Sequence, residues 1–424
     1  METFINPERD KWTEIIQRPQ IDNTELKNIV STILNDVKKN GDEAVKKYSL
    51  QFDGVEQDEL KVTGHEINEA LSLVKEELKN AIQIAKENIE KFHQSQIEEV
   101  KKIETSKGVV CWRKSVAIEK VGLYIPGGNA PLFSTLLMLA IPAILAGCKE
   151  IYICTPADKS GRINPVILYV AHLLGIKNIY KAGGIQAIGA MAYGTQTIPK
   201  VYKIFGPGNQ YVTAAKEIVN SEGIAVDMPA GPSEVAVYTD DSGIPSFVAA
   251  DLLSQAEHGA DSQVLLVTTS PLIVENVKKE IYLQLENLPS KQIIVKALLN
   301  SRFIVMQDID NAFALLNEYA PEHLIIASDN ADQLAGKVIN AGSVFLGNYS
   351  PESAGDYASG TNHALPTNGH AKAYSGVSLD SFIKKITFQQ LNKEGIKNIG
   401  KVVQIMASAE GLHAHGQAIK IRDI

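Results

Sequence analysis

Short apolar runs alternate with segments of helical periodicity along most of the chain, and this alternation constrains the fold more than any other feature. The runs 150–155 and 262–269 are typical of buried strands, and apolar residues recur at helical spacing in 132–147 and 272–285. Parallel strands joined by helices form a sheet that is covered on both faces. The pattern recurs in two blocks, so it predicts an α/β protein with two parallel-sheet units.

Helical segments precede and follow these two blocks. The stretches 23–39 and 65–94 have amphipathic spacing, and a short strand-like run at 386–391 is followed by further helical sequence. The segment 350–376 is rich in glycine and serine and has almost no periodicity. It therefore predicts a long loop, and loops of that length are usually functional or disordered.

Charge, hydropathy and cysteine content exclude several classes of protein. The 41 basic and 49 acidic residues give a net charge of −8, which argues against nucleic-acid binding. The longest apolar run, 132–147, is too short to span a bilayer comfortably and contains Pro142, and the N-terminus lacks a signal-peptide pattern. Three cysteines without a CxxC pair fit a reducing compartment. We expect a cytoplasmic protein without membrane or nucleic-acid partners.

Three glycine turns follow predicted strands, at 124–129, 182–186 and 206–211. In the last, a Gly-Pro-Gly turn leads into a helix N-terminus, which is an arrangement that can face a phosphate group. The dinucleotide fingerprint GxGxxG fails here because Tyr211 stands at the third glycine. Taken alone, the three turns favour ordinary tight connections over a nucleotide site.

Two pairs of polar residues are candidates for metal binding or catalysis. Gln255 and His258 are three residues apart and share a helix face, so they form half of a possible metal site. The alternative is a histidine that caps the helix C-terminus. Glu322 and His323 precede a predicted strand and could divide acid and base work in a cleft, or they could be a solvated loop pair.

Further candidates lie nearer the C-terminus. The loop 353–363 carries Asp356 and His363 among small residues, although a mobile surface loop is the alternative interpretation. His413 and His415 are two apart and do not share a helix face, so one of them at most is expected to reach a given site. Histidine, aspartate and glutamine together form a mixed nitrogen and oxygen ligand set, which suggests a metal that also holds substrate.

These residues stand in sequence blocks that resemble the histidinol dehydrogenase family. The resemblance is carried by 226–234, by 251–258 (DLLSQAEH) and by the blocks YIPGG, GPGNQYV, PEHL, SPESAGDYASGTNHALPT and AEGLHAH, which occur in the family's order. It covers essentially the whole chain. The family enzyme oxidises L-histidinol to L-histidine in two steps with two NAD⁺, as the last step of histidine biosynthesis. The resemblance thus implies an NAD-dependent oxidoreductase with a zinc ion.

Roles for individual residues follow from the resemblance, not from spacing. The implied zinc ligands are Gln255, His258, Asp356 and His415. The implied acid–base pair is Glu322 and His323. The substrate would be surrounded by the zinc ligands and His323 together with Ser233, His363 and Glu410. NAD would contact Tyr124, Gln186 and Asn209, one from each glycine turn.

The resemblance also implies a division of the chain and an assembly. In chain order, the division is a helical N-terminal extension (1–22), an α/β domain with the metal and catalytic residues (23–123 plus 235–380), a Rossmann-like NAD-binding domain inserted into it (124–234) and a C-terminal segment (381–424). The last segment would cross to the partner of a homodimer. Glu410 and His415 would then complete the active site of the other subunit.

Two other functions use the same candidate residues. A zinc hydrolase could direct water onto an ester or amide with the same zinc, glutamate and histidine. A catalytically silent metal- or nucleotide-binding protein could retain the fold. The glycine turns that carry Tyr124, Gln186 and Asn209 argue against the hydrolase, and the intact motif positions argue against the silent protein. Related amino alcohols remain alternative substrates, and manganese remains an alternative metal.

Overall fold

The computed structural model describes residues 1–19, 24–127, 132–229 and 231–422. The end of the first glycine turn, at 128–129, lies outside these ranges. The strands are β1 (Glu2–Ile5), β2 (Lys102–Ser106), β3 (Val109–Ala117), β4 (Lys120–Tyr124), β5 (Glu150–Thr155), β6 (Ile179–Lys181), β7 (Lys203–Phe205), β8 (Ala225–Val226), β9 (Glu234–Thr239), β10 (Gln263–Thr268), β11 (Arg302–Val305), β12 (His323–Ala327), β13 (Ser343–Leu346) and β14 (Ile383–Leu391).

The α-helices connect and cover these strands. They are α1 (Trp12–Ile15), α2 (Thr24–Asn40), α3 (Asp42–Tyr48), α4 (Gly64–Leu73), α5 (Glu76–Gln94), α6 (Phe133–Ala146), α7 (Pro165–Leu173), α8 (Gly184–Tyr193), α9 (Gln210–Ser221), α10 (Pro245–Ala256), α11 (Pro271–Leu285), α12 (Lys291–Leu299), α13 (Ile309–Tyr319), α14 (Ala331–Ala335), α15 (Glu352–Tyr357), α16 (Lys393–Ala409) and α17 (His413–Lys420). None of the helices in these ranges is long and apolar enough to cross a membrane.

A six-stranded parallel sheet forms one unit. Its strand order is β1-β11-β10-β9-β12-β13. The central strands β9, β10 and β12 are buried along their whole length. Their near-continuous apolar sequences are what a sheet covered on both faces requires. Separate apolar clusters on the two faces supply that cover.

A five-stranded parallel sheet with the order β6-β5-β4-β7-β8 forms the other unit. Helices α6 and α7 pack in one apolar cluster against it, and α8 and α9 pack in a second cluster. The two sheets confirm the predicted fold class of two parallel-sheet α/β units.

The helices near the N-terminus are grouped differently from the predicted division. Helix α2 places Val30 and Leu34 in the cluster that contains Ile188 of α8, and α5 places Ile89 in the cluster that contains Leu139 of α6. Both helices therefore cover the five-stranded sheet and not the sheet that follows residue 235. Amphipathic spacing shows that a helix buries one face, but it does not show which surface covers that face.

Three further corrections concern local structure. The N-terminal extension is not wholly helical, because β1 pairs with β11 at the edge of the six-stranded sheet. The single helix predicted over 65–94 is broken after Leu73, where Val74 is extended and buried. The loop predicted over 350–376 contains the short helix α15. That helix puts Glu352 and Asp356 four residues apart on one face.

A small antiparallel sheet, β14-β3-β2, joins the C-terminal segment to the rest of the chain. Phe388 of β14 lies opposite Trp112 of β3, and their rings stack with centroids 5.4 Å apart. Helices α16 and α17 pack against each other beside this sheet. The strand at 386–391 was predicted, but its pairing with β3 was not.

Phe382 anchors the start of this C-terminal segment. It is fully buried and stacks on Phe205 of β7 at 4.1 Å between ring centroids. Phe382→Ala would leave a cavity beneath the five-stranded sheet, and we expect it to lower the free energy of unfolding by about 3–5 kcal/mol. Denaturant unfolding followed by circular dichroism measures this loss. Phe247→Ala is the control, because Phe247 is 39% exposed; an equal loss in both variants would contradict the expectation.

Candidate active site

The candidate catalytic pair lies at the amino edge of the six-stranded sheet. Glu322 immediately precedes β12, His323 is its first residue, and they are 6% and 3% exposed. Because the pleat is not yet established there, adjacent side chains can reach one space, and His323 Nδ1 lies 3.6 Å from Glu322 Oε2. This burial excludes the solvated loop pair that the sequence left open.

Two helices bring the metal-ligand candidates to the same edge. Gln255 lies in the last turn of α10, His258 follows just after that helix, and α15 carries Glu352 and Asp356. Donor atoms of His258, Glu352 and Asp356 all lie within 4.8 Å of one another. In the orientation that satisfies both amide atoms of Gln255, its nitrogen donates to Glu352, and its oxygen accepts from the Glu234 N–H at 2.9 Å.

His323 lies between Glu352 and Asp356, close enough to form an ion pair with each carboxylate. Its Nε2 is 3.5 Å from Asp356 Oδ1, and its Nδ1 is 3.9 Å from Glu352 Oε1. Burial opposes a charge on the ring, but the surrounding carboxylates outweigh it and raise the pKa of His323 to about 10. Burial raises the pKa of Glu322 to about 7 and that of Glu352 to about 8. For Asp356, His323 outweighs burial and lowers the pKa of the carboxyl.

The charge balance fits a divalent cation. Within the described residues, the ion pairs of Glu322, Glu352 and Asp356 all go to one imidazole, that of His323. Asp356 Oδ1 is buried, and beyond that loose ion pair it has no hydrogen-bond partner there. Three carboxyl groups are buried around one imidazole, so ionising all three requires a further positive charge, and imidazole nitrogen with carboxylate and amide oxygen suits zinc or manganese. Glu352 belongs to this group, although the sequence reasoning did not single it out.

His363 lies behind Asp356 with both ring nitrogens engaged. Its Nδ1 is 2.9 Å from the Asp356 carbonyl oxygen, and its Nε2 is 3.0 Å from the Thr135 hydroxyl of α6. A carbonyl oxygen only accepts, so Nδ1 carries the proton, and Nε2 accepts from Thr135 in a neutral ring. Desolvation lowers the pKa of His363, which favours this neutral form. The segment from Asp356 to His363 is therefore hydrogen-bonded to α6, which covers the five-stranded sheet.

The three residues implied for NAD line one cavity at the carboxyl edge of the five-stranded sheet. Tyr124, Gln186 and Asn209 line this cavity, which has a volume of about 1460 Å³. Gln186 is almost fully buried, and its side-chain oxygen has no hydrogen-bond partner within the described residues. Carboxyl ends of parallel strands are where open α/β sheets bind ligands. The turns that the sequence alone favoured as ordinary connections thus share one large cavity.

The turn before Asn209 depends on a glycine. Gly206 has a φ of +130°, and a side chain there would collide with the carbonyl oxygen of Tyr124. Asn209 then caps α9 by accepting from the N–H groups of Tyr211 and Val212. This close approach of the ends of β4 and β7 keeps Tyr124 and Asn209, which both line the cavity, near each other.

A second cavity is lined by residues of both regions. It has a volume of about 800 Å³, and it is lined by Ser233 and His258 on the catalytic side and by Asn209 on the other. Asn209 thus lines both cavities. Through this shared residue, the large cavity adjoins a cavity that is lined by the metal-ligand candidate His258.

The remaining candidates lie away from this site in a single chain. Glu410, His413 and His415 are exposed near the junction of α16 and α17. Neither the group of metal-ligand candidates nor the cavities described above include them. One chain therefore brings together Gln255, His258 and Asp356, but not the fourth implied ligand, His415.

Comparisons with known proteins agree over the whole chain. The family model for histidinol dehydrogenase matches residues 16–423. The chain is 58% identical to a histidinol dehydrogenase of Bacteroides thetaiotaomicron, covering 100% of this chain and 99% of that one, and 50% identical to one of Campylobacter jejuni, covering 99% and 98%. A crystal structure of histidinol dehydrogenase from Elizabethkingia anophelis superposes with a TM-score of 0.98 at 59% identity, over 100% of this chain and 98% of that chain. The chain belongs to the histidinol dehydrogenase family.

Proposed function

We propose that the chain oxidises L-histidinol to L-histidine through L-histidinaldehyde, with two NAD⁺ and a bound zinc ion, as the last step of histidine biosynthesis. One observation carries the proposal beyond family membership. A buried Glu–His pair lies beside a set of candidate cation ligands, and the cavity lined by one of them, His258, shares Asn209 with the large cavity at the carboxyl edge of the other sheet. That arrangement suits hydride transfer between a metal-anchored substrate and a dinucleotide.

The zinc ion would be held by Gln255, His258 and Asp356 of one chain and by His415 of a partner. When bound, zinc would supply positive charge that orients the substrate and lowers the pKa of the neighbouring His323 toward the range of a base. Glu352 contacts the Gln255 amide and thereby orients it. Manganese fits the same donor set.

The two residues of the Glu–His pair have different tasks in the two oxidations. His323 accepts the hydroxyl proton of L-histidinol while the hydride leaves its carbon for NAD⁺, which gives the aldehyde. Glu322, whose pKa burial raises to about 7, takes a proton from water as the water oxygen bonds to the aldehyde carbon. Protonated His323 returns its proton to the aldehyde oxygen, which completes the diol. The diol then loses a hydride to a second NAD⁺ and a hydroxyl proton to the neutral His323, which leaves the carboxylic acid.

The other predicted residues would position the two substrates. Tyr124, Gln186 and Asn209 would contact NAD⁺ in the large cavity, and Asn209 would lie nearest the catalytic side. Ser233 lines the second cavity and would contact L-histidinol there. His363 would also contact L-histidinol, and its bond to the Asp356 carbonyl holds the segment that carries this metal-ligand candidate.

The assembly we propose is a homodimer with shared active sites. Exposed apolar side chains occur on the C-terminal segment, including Val402, Ile405 and Met406 of α16. Burying them against a second copy would bring Glu410 and His415 to the partner's site. We further propose a cytoplasmic location, since the three cysteines are free and fit a reducing compartment.

Counting NADH tests the proposal. With limiting L-histidinol and excess NAD⁺, we expect two NADH per substrate, measured by absorbance at 340 nm. A chelator should abolish the reaction, and zinc should restore it. One NADH per substrate would mean that the reaction stops at the aldehyde. No NADH from metal-replete protein would overturn the proposal and leave another amino alcohol or a hydrolase reaction to be tested.

A further inference from the structure

A buried ion pair lies directly behind the catalytic pair. The Arg18 guanidinium donates to both carboxylate oxygens of Glu234, from Nε at 2.5 Å and from Nη2 at 2.9 Å. The side chain of Glu234 is 3% exposed and that of Arg18 is 18% exposed. Fork-like contacts of this kind fix orientation as well as charge. Arg18 belongs to the N-terminal segment, which the proposed reaction has not used.

Glu234 presents its backbone to the catalytic groups. Its N–H donates to Glu322 Oε2 at 3.0 Å. When the Gln255 amide is oriented with its nitrogen toward Glu352, the same N–H also donates to the Gln255 oxygen at 2.9 Å. Its carbonyl oxygen lies 3.4 Å from His323 Nδ1. Of the two catalytic residues, Glu322 therefore has the shorter bond to this peptide. Any shift at the start of β9 would move the partner of the Glu322 carboxylate.

Arg18 also holds the segment that leads to Glu322. Its Nη2 donates to the Tyr319 carbonyl at 2.7 Å, and the guanidinium lies over the Tyr319 ring at 3.9 Å from the centroid. Tyr319 ends α13, and Ala320 then turns the chain with a φ of +52°. That conformation is strained for a residue with a side chain and persists only where its surroundings hold it. Arg18 thus bridges both backbone segments that place the Glu322 carboxylate.

We propose that Arg18, through Glu234 and Tyr319, is a positioning residue for the Glu322 carboxylate. The inference rests on the proposed function, in which Glu322 activates water for the second oxidation. Glu322 has no such role in the first oxidation, which depends on His323. Loss of Arg18 should therefore impair aldehyde oxidation more than alcohol oxidation, whereas general loosening of the fold would impair both alike.

The test compares Arg18→Gln, Arg18→Lys and the double variant Arg18→Gln/Glu234→Gln, each saturated with zinc. NADH formation is measured separately from L-histidinol and from L-histidinaldehyde. For Arg18→Gln we expect the rate with aldehyde to fall about 10- to 100-fold and the rate with alcohol by less than about threefold. Arg18→Lys keeps the positive charge but cannot donate to both Glu234 oxygens as the guanidinium does. Its rate with aldehyde should therefore lie between the rates of wild type and Arg18→Gln.

The double variant keeps the test decisive if Arg18→Gln does not fold. It removes both charges, so no unpaired carboxylate is left buried. Thermal unfolding without substrate shows which variants are folded. Arg9→Gln is the matched control. Arg9 belongs to the same N-terminal segment, is exposed, and places its guanidinium over the Trp12 ring. This variant should leave both rates unchanged.

The outcomes separate this inference from the proposed function. A folded double variant with equal rate losses on alcohol and aldehyde, or with no loss, would overturn the positioning role. A selective loss on aldehyde that is absent from Arg9→Gln would support it. If wild-type protein forms no NADH from L-histidinol, the proposed function itself has failed, whatever the Arg18 variants do.

Discussion

Glu322→Gln is expected to stop the reaction halfway, so that one NADH forms per L-histidinol instead of two. Glutamine matches glutamate in size, and its oxygen can still accept the Glu234 N–H that Glu322 accepts at 3.0 Å. The neutral amide cannot take a proton from water, however, so hydration of the aldehyde loses its base. Removing a general base typically costs about 10²- to 10⁴-fold, and we expect that loss in aldehyde oxidation. Alcohol oxidation should continue, because His323 is intact.

Two measurements check this result. Absorbance at 340 nm counts NADH, and trapping with an aldehyde reagent identifies the product as L-histidinaldehyde. Glu318→Gln is the control, because Glu318 lies on α13 shortly before Glu322 and its side chain accepts from the Thr13 hydroxyl at 3.4 Å, not from the Glu–His pair. Two NADH per substrate at an unchanged rate of aldehyde oxidation would show that Glu322 is not the base. Glu352, at 3.9 Å from His323, would then be the next residue to test.

The parallel sheets could be predicted because their signal is local. Strands such as β9 and β10 are buried on both faces, so their own sequences are almost wholly apolar. The antiparallel sheet carries no such signal, since β14 and β2 are largely exposed. Its pairing joins residues far apart in the chain, and no short-range pattern records which distant strand is the neighbour.

The candidate site shows the same limit at the level of single residues. Gln255, His258, Asp356 and the Glu–His pair stand in distinctive sequence blocks, and the structure gathers them at one edge of a sheet. Glu352 was missed because it lies in a helix of only six residues, and the glycine- and serine-rich sequence around it shows no helical periodicity.

Arg18 was missed for a different reason. It lies 216 residues from Glu234, and its own neighbours in sequence give no sign of a buried partner. Sequence blocks thus identify groups that do chemistry more readily than groups that hold them in place.

Mixing two variants that each fail to form histidine is expected to restore histidine formation, and it tests the shared site directly. His415→Ala should fail because the metal would lose a ligand, and Glu322→Gln should fail at aldehyde oxidation. In a mixed dimer, the active site of the His415→Ala subunit has wild-type Glu322. It would receive wild-type His415 from the Glu322→Gln subunit. That site is intact, while the other site carries both changes. With random pairing, half of the dimers are mixed and one of their two sites works, so about a quarter of wild-type histidine formation should return.

The recovery depends on the two changes lying in different chains of each site. If His415 served its own chain, both sites of every mixed dimer would carry one defect, and mixing would restore nothing. The exposed position of His415, outside the ligand group of its own chain, favours the crossed arrangement. Co-expressing the variants with different affinity tags and purifying on both tags in turn isolates the mixed dimer. Mixing Glu322→Gln with His323→Ala is the control, because both residues belong to one chain's site and neither mixed site would be complete.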